Sequence, residues 1–144
     1  MKRLLLTLAL VTTAGSILAA DAPGLPVTKA TAGAQVYIIS PQDGATVPQS
    51  FTVRFGLKGM GVAPAGVVHE NTGHHHLLID VKQLPPAGQP IPKDDQHLHF
   101  GGGQTETTLK LSPGTHTLQL ELGDSNHIPF DPPVVSKVIT VHVK

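Results

Sequence analysis

The chain has 144 residues, with ten Lys and Arg balanced by ten Asp and Glu, nine His, and no Cys or Trp. That balance offers no basic field for nucleic acid or an anionic membrane surface. The missing cysteines exclude disulfides and thiolate metal sites.

Taken in chain order, Lys2 and Arg3 precede an apolar run from Leu4 to Val11, and Ala19 and Ala20 close a small-residue stretch. This is the order of a secretory signal peptide. The apolar run is shorter than the roughly 20 residues that span a bilayer. Residues 1–20 are therefore expected to be cleaved, leaving a periplasmic or secreted protein without membrane attachment. Cleavage removes two basic and no acidic side chains, so eight basic stand against ten acidic, a net charge of −2. Residues 21–34, rich in Ala, Pro and Gly, are expected to form a flexible leader. Residues 35–144 are expected to form one domain.

Within that domain the first strand is expected at 35–39. Residues 40–50 carry Pro41, Asp43-Gly44 and Pro48 and read as turns. At 51–57, Phe51, Val53, Phe55 and Leu57 alternate with Thr52 and Arg54, the period of a half-buried strand. A loop is expected at 59–73 and a strand at 74–81. Residues 82–95 contain Pro85, Pro86, Pro90 and Pro92 and suit neither a helix nor a central strand. Short strands are expected at 97–100 and 105–111, then a clean alternation at 116–122 with Leu118, Leu120 and Leu122 on one face. A loop at 123–133 leads to a last strand at 134–143. No stretch of this domain shows helical periodicity. About seven short strands separated by turns predict an all-β fold, an immunoglobulin-like antiparallel β-sandwich.

Chemistry concentrates in histidines. In Asn71-Thr72-Gly73-His74-His75-His76-Leu77-Leu78-Ile79-Asp80, alternate side chains share a strand face. His74 and His76 then lie together, about 7 Å apart along the strand, while His75 joins Leu77 and Ile79 on the core face. His97 and His99 form a second His-x-His pair in Gln96-His97-Leu98-His99-Phe100-Gly101. Two such strands side by side would aim several imidazoles at one ion, and imidazole suits copper(II) and zinc. His69, just before the first cluster, and His127, in the Gly123–Pro133 loop, are candidate extra ligands. His116 is expected to be structural, tied to backbone near a strand start. No nucleophile elbow, catalytic cysteine or phosphate-binding glycine loop is present, and no catalytic residue is assigned.

The motifs NTGHHHLLID, QHLHFGGGQTETTL, PGTHTLQL and GDSNHIPFDPPV together resemble a bacterial exported family, domain of unknown function 4399. The resemblance implies a short exported domain defined by its histidine-rich motifs and carries no activity with it. The residues themselves point to a domain that binds copper(II) or zinc through His74, His76, His97 and His99, with His69 or His127 added, for buffering or delivery of the ion. Its partners would be the metal ion and another periplasmic protein. Two other readings stand beside this one. One is a non-metal structural or interaction module with a histidine hydrogen-bond network. The other is a metal-dependent enzyme with an open ligand position.

Overall fold

The computed structural model describes residues 25–144; the signal-peptide reading of residues 1–20 lies outside them. Among the described residues there are nine strands and no helix. They are β1 (Gln35–Ser40), β2 (Ala45–Val47), β3 (Ser50–Lys58), β4 (Gly61–Val62), β5 (Thr72–Ile79), β6 (His97–His99), β7 (Glu106–Lys110), β8 (Gly114–Gly123) and β9 (Ile139–Val143). Two sheets result, one ordered β1-β3-β7 and the other β2-β9-β8-β5-β4, with β6 also paired to β5. The protein is an all-β, sandwich-like fold.

The core lies between the sheets because the alternating strands each turn one apolar row inward. Val36, Phe51, Val53, Phe55 and Leu109 come from the smaller sheet. Leu77, Ile79, Leu118, Leu120, Leu122, Val141 and Val143 come from the larger one. Leu118, Leu120 and Leu122 are fully buried, each contributing about 2 kcal/mol of apolar burial.

Three features differ from the sequence expectation. Two pairings are parallel, β2 with β9 and β4 with β5. Both extra strands are two or three residues long and fall in segments read as turn and loop, too short to show alternation. The last strand begins only at Ile139. Before it, residues 134–136 run along β8 through single contacts, Leu122 N donating to Val134 O and Ser136 N to Leu120 O. Finally, the described part of the segment read as a flexible leader is tied down. Leu25 N donates to Gly88 O, Ala30 N to Asp131 O, and Asp131 N to Thr28 O.

The central strand β5 is buried on both faces. One face meets the core. The other carries His74, His76 and Leu78 and is covered by the proline-rich segment and the loop after β8. Ile91 N donates to His127 O at 2.8 Å, joining these two covers. Ile91 and Ile128 are themselves buried, so the outer face has a small apolar roof.

Candidate metal centre

Register decides which histidines meet. In the antiparallel pairing of β5 with β6, His76 lies opposite His99 and Leu78 opposite His97. Directly opposed residues share a face, so His99 stands beside His76. On the other side of β5, Gly123 of β8 lies opposite His74. A Cβ at Gly123 would fall 2.7 Å from His76 Cε1, and one at Gly101 2.3 Å from His99 Cε1. Two glycines thus leave the volume that these rings occupy.

The fourth ring comes from the loop. Asp124 Oδ1 accepts from Asn126 N at 2.8 Å and from Ile128 N at 3.0 Å, and His127 N donates to Asp124 O at 2.9 Å. The turn so closed holds His127 at φ +67°, a left-handed conformation that costs a non-glycine residue on the order of 1 kcal/mol. Thr28 donates through its hydroxyl to Asp124 Oδ2 at 2.6 Å, fastening the N-terminal segment to the same turn. His127 Nδ1 reaches His74 Nε2 at 3.0 Å.

His74, His76, His99 and His127 therefore form one cluster in which one nitrogen from each lies within 4.8 Å of the others. Ring centroids are 4.7 Å apart for His74–His76 and for His99–His127. An ion with metal–nitrogen bonds of about 2.05 Å sets neighbouring ligand nitrogens about 3.3 Å apart in a tetrahedron. His74 Nε2 and His127 Nδ1, 3.0 Å apart, are already near that spacing, and the four together could hold a metal ion.

The electrostatics fit a ligand set. Burial pushes His74 down to about 4, helped by neighbouring His127 and His99 and opposed by Asp124. Burial pushes His76 to about 2, with His74, His99 and His127 adding to it. His99 is also lowered, by burial and then by His127 and Lys93. Neutral imidazoles at neutral pH are what a metal needs. Buried His74 Nδ1, His76 Nδ1 and His99 Nε2 have no hydrogen-bond partner, and buried polar nitrogens without a partner are uncommon.

His97 and His69 stay out of the cluster. His97 is two residue pairs further along β5, opposite Leu78, and its Nδ1 donates to Asp94 Oδ1 at 2.9 Å. His69 is exposed in the loop before β5, with Nδ1 donating to Glu70 O at 2.9 Å. His75 lies on the core face, fully buried against Phe55 at 5.2 Å. Burial lowers it to about 4, with a backbone group of Gln104 pulling weakly upward. Asp124, Thr28, Gly101 and Gly123 are the supporting residues that sequence reasoning missed. The Gly-Asp-Ser-Asn run is a turn signal that points to Asp124, but nothing in the sequence links Thr28 to it. Glu121 was missed too. It faces His76 across the β5–β8 pairing, is fully buried without a partner, and burial pushes it up to about 7.

Residues 53–144 match the family model described as Domain of unknown function (DUF4399). The chain belongs to this family. The match spans β5, β6 and the loop after β8, and hence all four clustered histidines. No curated protein and no solved structure matches the chain.

Proposed function

We propose that this DUF4399 protein is an exported, periplasmic or secreted domain that binds one copper(II) or zinc ion through His74, His76, His99 and His127. Its role is to buffer the ion or deliver it to another periplasmic protein. The observation that carries the reading is the convergence of four imidazoles with three buried ring nitrogens lacking any partner. An all-imidazole set without thiolate or thioether favours a divalent ion over copper(I). The signal-peptide pattern of residues 1–20 supports export. A self-sufficient hydrogen-bond network is the weaker reading, because the four rings share one hydrogen bond, His74–His127.

Calorimetric titration of the metal-free protein at about pH 7.5, where free imidazole is mostly neutral, tests this. The expected result is one site per chain of submicromolar affinity for copper(II) or zinc. It is lost in His74→Ala/His127→Ala and kept in His69→Ala and His97→Ala. Weak binding at several sites, indifferent to the double substitution, would overturn the reading.

A further inference from the structure

We propose that an ion in this centre adds a small inorganic anion as a fifth ligand beside its four imidazoles, the anion entering a cavity beside the ion and drawn there by Lys93. The inference rests on the metal reading above and names what else the site takes.

The cavity has a volume of about 250 Å³ and is lined by His76, His99, His127, Pro90, Ile91 and Lys93. Three of its walls are thus rings of the cluster, so an ion held by the four histidines borders the cavity. A water molecule in the liquid takes about 30 Å³. The space accepts several waters or a ligand no bigger than a large side chain, and no nucleotide.

Charge selects among such ligands. Four imidazoles contribute none, so a bound divalent ion keeps its full double charge in a partly buried setting. The nearby carboxylates do not cancel it. Asp124 is spent on Thr28, Asn126 N and Ile128 N. Asp94 is spent on Gln96 N and on His97. Glu121, opposite His76 in the β5–β8 pairing and without a partner, offsets at most one unit of it. On the cavity wall stands Lys93, which lines it together with His99. Among the described residues Lys93 enters none of the ion pairs. A cation with neutral ligands, an adjoining void and a second cation at its rim attract an anion from both sides. Pro90 and Ile91 supply apolar walls that limit its size. The chemical class is a compact monovalent or divalent oxyanion or pseudohalide, bound by one atom to the metal.

The test uses copper(II) alone, then sodium azide as the anion probe. The full protein is loaded with one equivalent of copper(II), binding is verified by equilibrium dialysis, and azide is titrated while the azide-to-copper charge-transfer absorption is recorded. The expected result is a saturable absorption with one azide per copper. In Lys93→Gln azide binding weakens about fivefold, the worth of one exposed charge pair, and Lys93→Arg restores it. Copper held stoichiometrically without any azide absorption would show a closed site and overturn the proposal. Equal azide affinity in Lys93→Gln would remove Lys93 from it and overturn the guided entry. Failure to hold copper, seen in the dialysis before azide is added, would instead sink the metal reading on which it rests.

Discussion

The two ends of β5 both use histidine, and they use it in opposite ways. At its C-terminal end, Asp80 takes φ +57° and its carboxylate receives His116 Nδ1 at 2.8 Å and Thr117 N at 2.8 Å. His116 Nε2 donates to Ser112 O at 3.1 Å. Both ring nitrogens face acceptors, so the cation is favoured. The Asp80 hydrogen bond raises the His116 pKa against the opposing effect of burial, and the Ser112 carbonyl adds to the rise. Partial burial pulls Asp80 upward, but its donors outweigh this and leave it lowered. At the N-terminal end, His74 and His76 are more deeply buried, lowered in pKa, and left with unpartnered nitrogens. The corner is complete within the chain and needs no ligand. The cluster leaves ring nitrogens unpartnered, and their lone pairs are what a metal ion would take.

The largest effect that separates the two ends is the pH dependence of stability in the metal-free protein. His74 and His75 titrate at about 4 and His76 at about 2 when folded, against 6.5 for a free ring. Their folded values are depressed, so the unfolded chain takes up protons first as pH falls below 6.5, and stability drops across 6.5 to 4. A loss on the order of 3 kcal/mol is expected from these coupled rings. Chemical denaturation at both ends of that window measures it. A flat profile would show that the rings are hydrated and the cluster is open.

A steric change at one end should be felt there alone. Gly123→Ala puts a methyl group 2.7 Å from His76 Cε1 and 3.4 Å from His127 Cα. The rings must move, and metal affinity is expected to fall at least about tenfold, equivalent to about 1.4 kcal/mol. The His116–Asp80 corner should keep its titration, which the His116 ring proton resonances report. Unchanged affinity would mean that His76 is dispensable.

The smallest effect sharpens the other end. Asp80→Asn keeps a residue that tolerates a left-handed backbone and removes the charge opposite His116. The raised His116 contributes stability that is present below 6.5 and fades as pH rises through its folded value. The substitution should therefore cost about 0.5 to 1 kcal/mol near pH 5.5 and less near pH 8.5. Denaturation midpoints at the two values check it. Equal costs would reduce the corner to a neutral hydrogen bond. Metal affinity should not change.

Alternation in the sequence settled which residues share a strand face. It placed Phe51, Val53 and Phe55, and Leu118, Leu120 and Leu122, in the core. It set His74 with His76 on one face of β5 and His97 with His99 on one face of β6, and the missing cysteines left imidazole as the ligand chemistry. Only tertiary structure decided which of these rings meet. A period of two assigns faces but carries no register between strands, and the β5–β6 register puts His99 beside His76 while sending His97 to Asp94. His127 returns to His74 across 53 residues because Asp124 closes a turn that Thr28 fastens from the far end of the chain. Such contacts join residues remote in sequence, and no local pattern records them.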